Sequence, residues 1–339
     1  MTAAVIETRR LGRSEVTVPR IALGCGNFGG VGSSVEWFGR GLDEAAAFAI
    51  MDAAWELGIN HFDTADAYGG GRSEATIGAW IRSRGHLPLL TTKTYNPMDA
   101  GADHGLAPAR MRRQLHSSLE RLGVARVDLY LTHEFDPDVA PAIVVEALER
   151  FRDEGLIGAA GVSNYDAAQL RSTLDAGRVD AIQNSYSLLE RRDELELLGL
   201  CAREQVAYTV YSPLAGGWLT GKYRRGQEYP AGSRMTQRPD VYADFVEDRV
   251  FDSLDGLERL AAERDMSMAG LSLGWLLANP EVTAVVVGPN RPDQLDVVVE
   301  ALAHPLGARE RERVSELFDF SLLWSESPPA GDDVRGAQA

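Results

Sequence analysis

The residues most able to do chemistry begin with the run His61-Phe62-Asp63-Thr64-Ala65-Asp66-Ala67-Tyr68, where an apolar stretch closes on a carboxylate and a phenol follows. A strand that finishes on Asp63 and turns through Tyr68-Gly69-Gly70-Gly71 carries ionisable groups at the mouth of whatever it lines. Alone, such an Asp serves as readily to cap the following segment. The pattern recurs, however. Successive apolar stretches end at Lys93, at His133, at Ser163 and Asn164, at Gln183, and at Tyr211 and Ser212, with a last one closing at Gly288. A packed interior favours Val, Ile and Ala in such places, so six polar strand ends in succession point to a surrounded ligand.

The mixture narrows the chemistry. A cation close to the phenol of Tyr68 favours its ionised form, and Asp63 keeps that cation charged and aimed. Such a tyrosine can give a proton to a developing alkoxide and take it back in reverse. Reduction of a carbonyl by hydride needs that donor, with the hydride coming from a cofactor. Metal-assisted hydrolysis fits less well, because His133 is the one histidine at a strand end and no second lies at ligand spacing.

The elements that must position these groups alternate regularly. Helical spacing covers Asp43 to Leu57, with Asp43 as N-cap and Gly58 as stop, then Ser73 to Arg84 opened by Ser73, Pro108 to Leu122, Pro141 to Asp153, Asp166 to Leu174 and Arg192 to Arg203. Strands are expected at Val18–Leu23, Ile59–Thr64, Leu87–Thr92, Val127–Thr132, Ile157–Val162, Ala181–Ser185, Val206–Val210 and Val282–Val287. Their apolar, β-branched character without strict alternation suits parallel strands covered on both faces. The count predicts an α/β fold, an eight-stranded (β/α)8 TIM barrel; a doubly wound open sheet is the alternative. The interval from Ser212 to about Glu247 breaks the rhythm with glycine and proline and is read as a long functional loop. Helices Phe251–Arg264, Ala269–Ala278, Pro292–Leu302 and an extra C-terminal Ala308–Phe318 follow, then a Ser/Pro/Gly/Asp tail. Residues 1–324 are expected to form one barrel, with 325–339 a flexible tail. The early run Gly24-Cys25-Gly26-Asn27-Phe28-Gly29 matches the dinucleotide-binding glycine pattern, but Gly30, Gly32, Ser33 and Ser34 follow where a helix should start, so a Rossmann unit is disfavoured.

A length of 339 residues suffices for such a barrel in one domain. The formal net charge of -16 and pI near 4.9 argue against nonspecific binding to nucleic acid or anionic membrane, since the summed field repels polyanions. The N-terminus lacks the apolar core of a signal peptide and no run approaches bilayer-spanning length, so a cytoplasmic location is expected. Cys25 and Cys201 are too few for a disulfide framework or a zinc site of their own, and each is read as a small apolar packing residue.

With these features in place, the chain resembles the aldo-keto reductase superfamily over nearly its whole length, and is similar to bacterial members of its channel β-subunit and aldehyde-reductase-like branch. The resembling segments are Asp63-Thr64-Ala65-Asp66-Ala67-Tyr68-Gly69, Thr92-Lys93, His133 with Asp136-Pro137, Gly161-Val162-Ser163-Asn164, Gln183-Asn184-Ser185-Tyr186-Ser187, Tyr211-Ser212-Pro213-Leu214-Ala215-Gly216-Gly217, Leu219-Thr220-Gly221-Lys222-Tyr223, and Gly288 with Gln294-Leu295. The resemblance implies that Tyr68 is the general acid and base, Lys93 and Asp63 its tuning pair, and His133 the residue that orients the substrate carbonyl. It implies that Ser163, Asn164 and Gln183 bond the nicotinamide carboxamide and that Tyr211 stacks on its ring. Ser212, Pro213, Leu214, Gly216, Lys222 and Arg234 would cradle the pyrophosphate, with the long loop as a strap, and Gly288, Arg291 and Gln294 would hold the adenosine.

Two positions bear on the cofactor. Val297 and Val298 stand where the family often has an Asn near the end of its adenine-binding helix, so one adenine contact is expected to be missing. Arg291 lies where a guanidinium can meet a 2′-phosphate in bidentate fashion, which predicts NADPH over NADH. Expected pocket walls for a small carbonyl substrate are Phe28, Trp37, Tyr95, Phe135, Trp218 and Trp324. The expected activity is NADPH-dependent reduction of an aldehyde or ketone, without a metal. Alternatives are a slow-turnover, cofactor-bound regulatory subunit and a barrel isomerase or aldolase using Lys93 as a Schiff base.

Overall fold

The computed structural model describes residues 6–100 and 104–322, so Trp324 and the tail lie outside the described residues. It begins with a hairpin that the sequence pattern hid. β1 (Thr8–Arg10) pairs antiparallel with β2 (Thr17–Pro19), and the chain then enters β3 (Ile21–Gly24). The expected single strand Val18–Leu23 is therefore two. The break falls at Pro19-Arg20, where buried Arg20 reaches sideways to donate to the carbonyls of Leu277 (2.6 Å) and Val282 (3.0 Å).

After β3 come β4 (His61–Asp63), β5 (Leu89–Thr94), β6 (Val127–Thr132), β7 (Ile157–Ser163), β8 (Ala181–Ser185), β9 (Ala207–Tyr211) and β10 (Val282–Val287). Each pairs parallel with its predecessor and β10 returns to β3, closing an eight-stranded barrel surrounded by helices. The hairpin plugs its N-terminal end. Leu11, Val16 and Val18 pack on the small inward residues Ala159, Ala181, Ala207 and Ala284 and on Leu129 and Leu131. Gly12, at φ +52°, leaves no room for a side chain: a Cβ there would lie 2.2 Å from the Asp180 carbonyl. With the barrel interior filled from that end, the residues at the strand ends gather at the C-terminal mouth.

The helices follow their caps. α1 (Glu44–Glu56) starts where the Asp43 carboxylate accepts from the Ala46 amide. α2 (Arg72–Arg84) is opened by Gly71 at φ +86°, not by Ser73, whose hydroxyl instead donates to the Cys25 carbonyl and ties the helix to the barrel. α3 (Pro108–Leu122) and α4 (Pro141–Asp153) carry Pro in the first turn, and α5 (Ala167–Ala176) has an Asp166–Gln169 capping box. The expected helix from Arg192 is a short 3-10 turn, Arg192–Glu194, followed by α6 (Leu197–Glu204). There Asp193 is drawn inward by the Tyr208 hydroxyl and Arg191 is held by Glu194. The long interval after β9 contains 3-10 turns Ala215–Thr220 and Pro239–Phe245 around α7 (Arg234–Gln237). α8 (Asp248–Glu263), α9 (Met268–Leu277), α10 (Asp296–Ala303) and α11 (Ala308–Glu316) complete the described chain. Both cysteines are buried and unpaired by disulfide. Among the described residues no helix is long and apolar enough to cross a membrane.

Between strands and helices lies a polar layer. Thr92 donates to Glu74 (2.5 Å), which pairs with Arg121, and Thr94 donates to Asp66 (2.6 Å). Burial pushes the Asp66 carboxyl up to about 7, only partly offset by Thr94. Burial likewise lowers the His61 imidazole to about 4. These act oppositely on stability. The unfolded carboxyl ionises near pH ~3.9, so Asp66 costs stability as pH rises from there to about 7. The unfolded imidazole protonates near pH ~6.5, so His61 costs stability as pH falls from there to about 4. Asp66→Asn removes the first contribution. The unfolding free energy of the variant relative to wild type, from urea titrations at several pH values, is expected to rise between pH ~4 and ~7 by up to roughly 4 kcal/mol and then level off. A difference independent of pH over that interval would mean that Asp66 is ionised in the folded protein throughout.

Candidate active site

Barrel closure brings side chains from the neighbouring strands β4, β5 and β6, and from β8 across the barrel, to one point at the mouth. Asp63 ends β4 and pairs in register with Thr91, so Lys93 stands two residues further along β5 and its long side chain folds back over Asp63. Lys93 Nζ donates to Asp63 Oδ1 at 2.5 Å and to the Thr64 carbonyl at 2.9 Å, and is only 1% exposed. Gln183, from β8 across the barrel, donates through Nε2 to Asp63 Oδ2 at 2.8 Å. Both carboxylate oxygens are thus occupied and the buried charge pair is fixed in one geometry.

Tyr68 lies above this pair. Three left-handed glycines, Gly69, Gly70 and Gly71, follow it and turn the chain sharply into α2. Lys93 Nζ is 5.1 Å from the Tyr68 ring centre, and the His133 ring meets the same ring edge-on at 5.4 Å and 72°. Gly26 faces the phenol so closely that a Cβ there would sit 3.5 Å from the ring. His133 leaves the end of β6, its amide donating to the Thr94 carbonyl. Burial, and secondarily the Lys93 charge, hold its imidazole well below the usual range, so it is neutral. The structure therefore unites Asp63, Tyr68, Lys93 and His133, half-buried Tyr68 being the most open of the four. It adds one residue the sequence reading lacked, Asn96, whose amide lies 3.3 Å from His133 Nδ1. Its only sequence signal is its place just beyond Lys93.

The expected nicotinamide ligands are close by but already engaged. Ser163 Oγ donates to the Gln183 carbonyl (2.7 Å), leaving its lone pairs. Asn164, in left-handed backbone at φ +60°, donates to the carbonyl of His133 and to Glu134 Oε1, both at 2.9 Å, and accepts from the Tyr211 hydroxyl at 2.6 Å. Gln183 retains its Oε1.

Beyond β9 the backbone turns through Ser212 (φ +52°), Ala215 (+47°), Gly216 (+62°) and Gly217 (+94°), with Pro213 and Leu214 between. Leu214, near the right-handed region, followed by left-handed Ala215 is the alternation that turns successive amides to one side and favours an anion. Exposed Lys222 lies across Gly217, with Nζ 4.9 Å from the Tyr223 ring, while half-buried Arg234 opens α7. At the end of β10, a Cβ on Gly288 would meet nothing within 4 Å. Gln294 Oε1 accepts from the Asn290 amide, and Arg291 is exposed and paired in bidentate fashion with Asp293 at 3.0 Å.

Two expected pocket walls need correction. Phe28 and Trp218 are wholly buried: Phe28 belongs to the core, and Trp218 is enclosed by Tyr223, Phe245 and Phe251 under the strap. Neither presents accessible surface to a substrate. Trp37, Tyr95 and Phe135 are half-buried near the mouth loops.

Comparison with known proteins bears on the family and the fold. The Aldo/keto reductase family model matches residues 20–319. The NADH-specific methylglyoxal reductase of Escherichia coli is 32% identical over 314 residues, covering 86% of this chain and 92% of that protein. A probable voltage-gated potassium channel subunit beta of Oryza sativa is 30% identical over 311 residues, covering 88% and 91%. Among solved structures, the glycerol dehydrogenase of Gluconobacter oxydans superposes with a TM-score of 0.80 at 25% identity, covering 97% of this chain and 99% of that one. Family match, relatives and closed barrel agree: the chain belongs to the aldo/keto reductase family.

Proposed function

We propose that this chain reduces an aldehyde or ketone to an alcohol with Tyr68 as proton donor and a nicotinamide cofactor as hydride source. The observation that carries it is the buried Lys93–Asp63 pair directly against the Tyr68 ring, with neutral His133 meeting the same ring edge-on. The residues present fit such a cofactor: the left-handed turn at 212–217 suits a pyrophosphate, Gly288 leaves open space at the next strand end, and Gln183 Oε1 and Ser163 Oγ can accept from a carboxamide. When bound, the reduced nicotinamide supplies the hydride that adds to the carbonyl carbon.

The chain's own residues handle the oxygen. Neutral His133 donates a hydrogen bond to the carbonyl and orients it without placing a second cation beside Lys93. As negative charge grows on that oxygen, Tyr68 gives up its proton, and the Lys93 ammonium steadies the phenolate left behind. Asp63, braced by Gln183, keeps Lys93 from swinging away. The buried Lys93, paired with Asp63 and hydrogen-bonded to the Thr64 carbonyl, disfavours the Schiff-base alternative, which needs a free amine. The similarity to a channel subunit beta motivates a second reading, a slow-turnover cofactor-binding regulatory subunit. The complete set of Asp63, Tyr68, Lys93 and His133 favours the enzyme.

For the cofactor we favour NADPH. Arg291 is exposed, and a solvent-screened surface ion pair such as that with Asp293 holds it only weakly, so its guanidinium can exchange Asp293 for a 2′-phosphate. One relative's name nevertheless specifies NADH, so the preference is tested directly. Fluorescence titration should show tighter binding of NADPH than of NADH, and Arg291→Ala should weaken NADPH roughly tenfold while leaving NADH unchanged. Equal affinities in the wild type would refute the assignment.

With methylglyoxal as probe, Tyr68→Phe is expected to lower kcat by about 10²- to 10⁴-fold with cofactor binding retained. Full activity in that variant would remove Tyr68 from the mechanism. A single turnover followed by none in the wild type would favour the regulatory reading.

A further inference from the structure

Asn96 stands at the mouth of the barrel, just after β5, and is 2% exposed. Its side-chain nitrogen lies 3.3 Å from His133 Nδ1, and its backbone carbonyl accepts from Arg110 Nη2 at 2.8 Å. Arg110 is itself buried, and its other terminal nitrogen donates to the Gly105 carbonyl (3.0 Å) and to Thr94 Oγ1 (3.1 Å). One guanidinium therefore ties together the end of β5, the residue that faces His133 and the far end of the same loop, just before α3.

An amide nitrogen has only protons to offer, so the ring atom opposite it must be the acceptor. We propose that Asn96 is a positioning residue that locks His133 in the neutral tautomer with Nδ1 bare and the single ring proton on Nε2. The tautomer of a histidine is set by the hydrogen bond that its other nitrogen makes. Here the partner is buried and its backbone is anchored by Arg110, so the amide stands against the ring before any substrate arrives. It also keeps the ring a donor without making it a cation, which burial and nearby Lys93 both oppose. The bearing on catalysis rests on the carbonyl reduction proposed above: Nε2–H is then the group that meets the substrate oxygen. The tautomer does not depend on that reaction.

Long-range proton–nitrogen NMR of the full chain, without cofactor or substrate, reads the two ring nitrogens of His133, assigned by their loss in His133→Gln. The expected wild-type pattern is a bare Nδ1 and a protonated Nε2. A protonated Nδ1 in the wild type overturns the proposal and needs no variant. In Asn96→Asp the carboxylate can only accept, so Nδ1 becomes protonated; an unchanged spectrum in that variant also overturns it. If the wild type turns over carbonyl substrates, Asn96→Asp should lower kcat by on the order of 10²-fold or more while cofactor affinity stays put. Unaltered kcat alongside a switched tautomer would overturn the catalytic bearing. A wild type with the expected tautomer but no turnover would instead count against the proposed function alone.

Discussion

The Lys93–Asp63 pair is the interaction on which the mouth of the barrel depends. A buried ammonium without a partner would cost several kcal/mol, and this one is satisfied by Asp63 and the Thr64 carbonyl. Asp63 is in turn satisfied by Lys93 and Gln183. Three strands, β4, β5 and β8, are thereby bound through one charge, and the cation is held 5.1 Å from the Tyr68 ring whether or not anything else is bound. The same burial and charge keep His133 neutral. Phenol, ammonium and imidazole are thus held together by one buried, mutually braced arrangement.

The two ends of the barrel solve different problems. At the N-terminal end, small inward residues leave space that the hairpin fills with Leu11, Val16 and Val18. At the other end, loops from distant parts of the chain are tied to one another. Asn27, in the loop after β3, donates to the Pro289 carbonyl and to Asn290 Oδ1, both at 2.8 Å, linking the segment that backs Tyr68 to the segment after β10. The loop against the phenol and the loop beside Arg291 are therefore mechanically connected.

Backbone strain is concentrated at this mouth. Five non-glycine residues among those described have positive φ; Gln205 and Asp265 follow the ends of α6 and α8, where such turns are common, but Asn164, Ser212 and Ala215 follow barrel strands. Strained conformations persist where surrounding contacts impose them, and they gather at functional sites. Asn164 is imposed upon by His133, Glu134 and Tyr211 together.

Much of this was legible in the sequence because local rules and global fold agree. Proline starts bounded α3 and α4, Asp43 capped α1, and apolar runs bounded β6, β8 and β10 at their observed ends, so the barrel and the position of Asp63, Lys93 and His133 at or next to strand ends followed from pattern, whereas Gln183 lies in the middle of β8. What pattern could not supply was contact between residues far apart in the chain. The hairpin was hidden because its apolar residues answer to the barrel interior, not to any local period. Phe28 and Trp218 looked like pocket walls because aromatic type does not tell burial from exposure. Asn96 carries no motif; its meaning arises only when barrel closure sets β5 beside β6 and brings its amide to His133. The sequence by itself determined which groups stand near the strand ends, since that follows from order along the chain, whereas the tertiary structure decided which of them touch, because contact between distant segments exists only once the barrel closes.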